Sequence, residues 1–103
     1  MPIYNKLVRD KIPGIIEKSG KKAHIHILDE NDYREALDRK LGEEYAEYQA
    51  DRNAEELADM LEVIYAIAET MGVSEKQLDN IRREKSEKRG AFRKRIFLEK
   101  VDE

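Results

Sequence analysis

The chain contains no cysteine. That excludes disulfides, a zinc finger and a thiol nucleophile. Histidine occurs twice, and serine and threonine are few and scattered, so no catalytic triad suggests itself. No apolar run approaches the roughly 20 residues of a membrane-spanning helix. Met1-Pro2-Ile3-Tyr4-Asn5-Lys6 lacks a signal-peptide core, which makes a cytoplasmic protein the expectation. There is no GxGxxG, no Walker-type loop, no internal repeat, no low-complexity tract and no linker. The 103 residues are enough for one domain, residues 1–103.

What the chain does have is charge, 42% of its residues, beside 40% apolar residues. The apolar residues are patterned, which indicates a folded chain. So small a core points to a helix face finished by a partner subunit. The net charge of −3 hides a segregation. Ala54 to Glu75 holds six acids and no lysine or arginine, whereas Arg82 to Arg95 holds eight basic residues and two acids.

Residues 1–9 read as irregular. Asp10 is a plausible N-cap for a short helix over residues 11–18, with Pro13 in its first turn and Gly20 beyond its end. Ala23 to Leu28 alternates polar and apolar, which is the pattern of a strand. Its His24 and His26 share a side, and a solvated strand face explains them better than a metal site, because no third ligand lies near in sequence. Asp29, Asn31 or Asp32 can cap a second helix running from about Asp32 to Ala50, whose apolar stripe is Leu37, Leu41, Tyr45 and Tyr48. Asn53 can cap a third, continuing to about Thr70, with Gly72 ending it. Leu57, Leu61, Ile64, Ala68 and Met71 line one side of this helix and Met60, Val63 and Ile67 another, which makes it the expected buried centre. Ser74 and Gln77 form a capping box for a fourth, largely charged helix ended by Gly90. Arg95-Ile96-Phe97-Leu98 can be a strand pairing with residues 23–28. The expected fold is mainly α: an antiparallel bundle of about four helices with a small two-stranded β ribbon, completed by oligomerisation.

Carboxylates mark the joint between the second and third helices. Glu44 and Glu47 share a helical face, as do Glu56 and Asp59. The turn between them is short, so the helices should run antiparallel. In such a hairpin residues lie level when their numbers share one total, which sets Glu47 beside Glu56 and Glu44 beside Asp59. Four carboxylates then face one another across about 8–10 Å between helix axes. They would raise one another's pKa, and a hard divalent cation relieves that repulsion. Two bland readings compete: Glu43, Glu44 and Glu47 can pair with Arg39 and Lys40, and Glu56 can close a capping box on Asn53.

Glu43-Glu44-x-x-Glu47 followed by Glu56-x-x-Asp59 resembles the EExxE…ExxD signature of the all-α nucleoside triphosphate pyrophosphohydrolases, the MazG-like superfamily. Asn5-Lys6-Leu7-Val8-Arg9-Asp10-Lys11-Ile12-Pro13 and Lys88-Arg89-Gly90-Ala91-Phe92-Arg93-Lys94-Arg95-Ile96-Phe97-Leu98 look like the terminal motifs of a phosphoribosyl-ATP pyrophosphohydrolase-like subgroup. The resemblance implies Mg²⁺ held by Glu44, Glu47, Glu56 and Asp59. The interval between Glu47 and Glu56 is shorter than in many relatives, which leaves Glu55 and Glu56 both as candidates to face the metal. It also implies a homodimer or higher homo-oligomer with sites near the interface.

The implied reaction is hydrolysis between the α- and β-phosphates of a nucleotide. Glu43 or Glu47 would orient or deprotonate the attacking water. Lys6, Arg9, Lys11, Lys85, Lys88, Arg89 and Arg93 are the candidate phosphate-binding cations. Tyr4, Tyr45, Tyr48, Tyr65 and Phe92 are candidates to stack on a base. Phosphoribosyl-ATP is an alternative substrate. A reading from another class makes residues 82–95 a nucleic-acid-binding segment, against which the acidic helices would repel such a partner. A third leaves a purely structural helical oligomer.

Overall fold

The computed structural model describes residues 2–102, and across them the chain is mainly α, with four helices and no strand. The first helix, α1, spans Ile12–Lys18, α2 spans Glu30–Ala50, α3 spans Ala54–Thr70 and α4 spans Glu75–Arg89.

Local chemistry explains most of these boundaries. Asp29 accepts a hydrogen bond from the Asp32 amide at 2.8 Å, so α2 begins at Glu30, slightly ahead of the expected start. Asn53 does the same for the Glu56 amide at 3.0 Å and starts α3. Ser74 and Gln77 cap each other's backbone reciprocally at the head of α4. Past the end of α3, Gly72 adopts φ 76°, a left-handed conformation that a side chain would strain. Asp10 does not cap α1. The Ile12 amide bonds to the Arg9 carbonyl at 3.0 Å, so a turn runs directly into the helix through Lys11 and no side-chain cap forms.

The expected β ribbon is absent among the described residues. The Arg95 amide donates to the Phe92 carbonyl at 3.2 Å, and Arg95 itself sits at φ 57°. A turn with a left-handed residue therefore stands where the second strand was expected to begin. Residues 23–28 have no partner strand and run as irregular chain, with His24 and His26 exposed.

Helices α2 and α3 pack along each other as a hairpin across residues 51–53. Arg34, near the start of α2, donates to the carbonyl of Thr70 at the end of α3 at 3.4 Å, so the pair runs antiparallel. Helix α4 packs on α3 less extensively, and α1 packs on no other helix. The buried core is Ala36, Leu37, Val63 and Ala68, with Leu41, Met60, Ile64 and Ile67 half-buried around it. Helix α3, expected as the buried centre, is the one that packs on both α2 and α4, but part of its apolar side stays open: Leu57 and Leu61 are each 47% exposed. Two helices cover only part of its circumference.

The molecule is open. Its radius of gyration is 18.1 Å, against about 13 Å for a compact domain of this length. Its accessible surface is 9859 Å², where a compact monomer of 12.1 kDa would show about 6,000 Å². No helix is long and apolar enough to cross a membrane among the described residues.

Candidate metal centre

The hairpin brings Glu44 of α2 together with Glu56 and Asp59 of α3. One carboxylate oxygen of each lies within 4.8 Å of the others. Opposite oxygens in an octahedral Mg²⁺ shell are about 4 Å apart and those around Ca²⁺ about 5 Å, so the spacing suits a small divalent cation without choosing between them.

Glu44 is the most deeply placed, at 7% exposure. The Lys40 ammonium, one turn earlier on α2, reaches its Oε1 at 3.3 Å and Glu43 at 3.8 Å. The bland pairing of these acids with Lys40 is therefore real, but it satisfies only half of the Glu44 carboxylate. Glu44 Oε2 is buried with no hydrogen-bond partner, and so is Glu56 Oε2. Buried anionic oxygens without donors are costly, and a coordinated cation is one way to satisfy them. That is the observation by which these residues fit a metal.

The capping-box reading of Glu56 fails on the same evidence. Its backbone amide is capped by Asn53, but its side chain does not turn back to bond the Asn53 amide. In α4 the equivalent Gln77 side chain does, at 2.8 Å. The Glu56 carboxylate is instead pushed above its usual pKa, chiefly by loss of solvent, then by the negative charges of Glu47, Asp59, Glu44 and Asp51. Of the two adjacent acids it is Glu56 that faces the cluster, while Glu55 is exposed.

Asp59 has a partner from elsewhere in the chain. Arg9 Nη2 donates to Asp59 Oδ1 at 2.7 Å, and Arg9 Nη1 lies 3.9 Å from Glu62. Nothing in the periodicity marks this contact, because Arg9 sits in irregular chain and the pair spans 50 positions.

The remaining candidates are arranged less closely. Glu47 is exposed and outside the three-carboxylate group, though its charge acts on Glu56. Glu43 lies on the exposed side of α2. Lys6, Lys11, Lys85, Lys88, Arg89 and Arg93 are exposed, and none forms an ion pair with the cluster among the described residues. Tyr48 is covered by the Arg52 guanidinium, 5.1 Å from its ring centre, and Tyr45 packs beside it at 6.5 Å. Two open surface depressions, one along Tyr65, Glu75, Lys76 and Asp79 and one along Glu30, Tyr33, Ala66, Glu69 and Thr70, do not include the cluster.

No protein-family model matches the chain. No solved structure matches it. A protein of Mycolicibacterium smegmatis (strain ATCC 700084 / mc(2)155), described as uncharacterized, is 49% identical over 45 residues, which cover 44% of this chain. The match takes in 46% of that protein, less than half its length.

Proposed function

We propose that the chain is a Mg²⁺-dependent nucleotide pyrophosphohydrolase of the MazG-like kind, acting on a nucleoside triphosphate to give a nucleoside monophosphate and pyrophosphate. The observation that carries this reading is the convergence of Glu44, Glu56 and Asp59, two of them with buried, unpartnered oxygens. These are three of the five acids of the two sequence motifs, and they come from both arms of one helical hairpin.

In this reading Glu44, Glu56 and Asp59 hold the cation, joined by Glu47 from the next turn of α2. Bound Mg²⁺ supplies charge neutralisation at phosphate oxygens. Glu43 or Glu47 orients the attacking water and takes its proton. Water oxygen bonds to the α-phosphorus, the bond to the bridging oxygen breaks, and pyrophosphate leaves with the electron pair. Lys6, Arg9, Lys11, Lys85, Lys88, Arg89 and Arg93 offset the charge of the phosphate chain. The protein works as a homo-oligomer, in which a second copy covers the half-exposed Leu57 and Leu61 and completes the site. The open shape and the half-exposed apolar face of α3 support this.

One observation favours a different class. The stretch 82–95 is almost wholly exposed and strongly basic, as a nucleic-acid-binding segment would be. Arg82 and Arg83 both pair with Asp79, at 2.9 and 3.0 Å, which reduces the charge available to a phosphate backbone. The deciding experiment is pyrophosphate release from a panel of nucleoside triphosphates and phosphoribosyl-ATP, with Mg²⁺ and with chelator, for the wild type and Asp59→Ala. Metal-dependent release that Asp59→Ala abolishes supports the hydrolase, and the best substrate distinguishes nucleotide from biosynthetic intermediate. Steeply salt-dependent nucleic-acid binding that survives Asp59→Ala, with no pyrophosphate released, supports the binding module.

A further inference from the structure

Arg9 is a cation already seated on one of the three clustered carboxylates. Its guanidinium donates to Asp59 Oδ1 at 2.7 Å and leans toward Glu62 at 3.9 Å. The contact is also a tether. Among the described residues it is the one side-chain hydrogen bond joining the first 28 residues to the helical hairpin. Helix α1 packs on no other helix, so it adds no helix-to-helix hold of its own. Arg9 and Asp59 are both substantially solvent-accessible, at 55% and 40% side-chain exposure, so exchange of partners requires no unpacking of the core.

Asp59 therefore has two possible cationic partners with different consequences. A divalent ion bound by Glu44, Glu56 and Asp59 draws the Asp59 charge toward itself, and it repels a guanidinium held on the same carboxylate. Glu44 and Glu56 have buried oxygens to offer a metal, whereas the second carboxylate near Arg9 is Glu62, well exposed and distant. Charge and satisfaction both favour the metal. We infer that Arg9 and a divalent cation compete for Asp59, so that cation binding releases the N-terminal segment around Arg9 from α3. A released guanidinium is free to pair with an anion such as a phosphate group. The arrangement sets the metal affinity and couples filling of the metal site to exposure of an anion-binding arginine. This inference rests on the metal reading of the cluster.

The test uses the full chain with Mg²⁺ and Mn²⁺ as probes and needs no substrate. Isothermal titration measures cation affinity in the wild type and Arg9→Gln, with circular dichroism checking that both are folded. Trypsin cleavage after Arg9 is followed in the wild type with and without cation, referenced to cleavage after the exposed Lys21 and Lys22. Competition predicts that Arg9→Gln binds the cation about two- to fivefold tighter, the change that losing one exposed ion pair allows. It also predicts that saturating cation accelerates cleavage after Arg9 relative to the reference sites. Unchanged or weaker binding by Arg9→Gln overturns the inference, because Arg9 would then be neutral or would help to position Asp59. Unchanged relative cleavage in a protein that does bind the cation overturns it as well. Absence of any cation binding in both proteins is a separate result, and it removes the metal reading itself.

Discussion

Glu56 carries the most informative electrostatics of any single residue. Its carboxyl titrates above the ordinary value of 4.5, so the folded chain binds a proton more tightly than the unfolded one. Without divalent cation, the contribution of Glu56 to stability is therefore fully present below 4.5 and is lost as pH rises through the raised value. Chemical denaturation in chelator across that range should show Glu56→Gln gaining stability relative to the wild type as pH rises, because the variant lacks this loss. At neutral pH Glu56→Gln should melt no lower than the wild type in chelator, because it removes an anion from a cluster of anions. It should also lose most of the Mg²⁺-induced rise in melting temperature. A wild-type melting temperature indifferent to Mg²⁺ and Ca²⁺ would leave the cluster as a structural feature. Asp59 and Glu44 were legible from helical spacing alone, because two antiparallel helices joined by three residues have little freedom of register. Arg9 on Asp59 was not legible as a contact, since irregular chain has no period from which a position can be projected.

Helix caps decide most of the element boundaries, and they were readable because a cap is a local event. The side chains of Asp29, Asn53 and Ser74 each accept from an amide three residues on. Asn53→Ala should cost about 1 kcal/mol in denaturant unfolding. It should also weaken cation binding, because the same residue fixes the turn of α3 that carries Glu56. Gly42 stands in the interior of α2, where an added Cβ would meet nothing within 4 Å. Gly42→Ala should therefore stabilise the chain by about 0.5–1 kcal/mol. Loss of stability instead would show that a partner packs closely against this face. The ribbon was the misread element. Alternation in Ala23–Leu28 and the apolar run Ile96-Phe97-Leu98 satisfy a strand pattern, but a ladder needs both segments to meet. The left-handed Arg95 after a turn from Phe92 redirects the second one.

At the scale of the whole molecule the hairpin is firm and its surroundings are open. Leu37, at 2% exposure, is the centre of a four-residue core, and Leu37→Ala should cost about 2–5 kcal/mol, enough to unfold much of so small a protein. The half-exposed Leu57 and Leu61 lie one turn apart on α3 and form the face assigned to a second copy. Sedimentation should show a dimer or larger species for the wild type, and Leu57→Asp with Leu61→Asp should shift it to monomer. A monomeric wild type would contradict the shared site. The small core of so short a chain suggested a helix face finished by a partner subunit, but which face is left uncovered required coordinates. Periodicity assigned apolar stripes to α3 without saying which of them α2 and α4 would reach.

Glu44, Glu56 and Asp59 are proposed to form a metal centre that serves the cleavage of a nucleotide α–β phosphate bond. Pyrophosphate release measured in Mg²⁺ and in chelator, for the wild type and for folded Asp59→Ala, tests it most directly. Release is expected from at least one substrate of the panel, abolished by chelator and reduced at least about a hundredfold by the substitution, as loss of a group that helps stabilise transition-state charge does. No release from any substrate by a folded wild-type protein would contradict it, as would release that Asp59→Ala leaves intact.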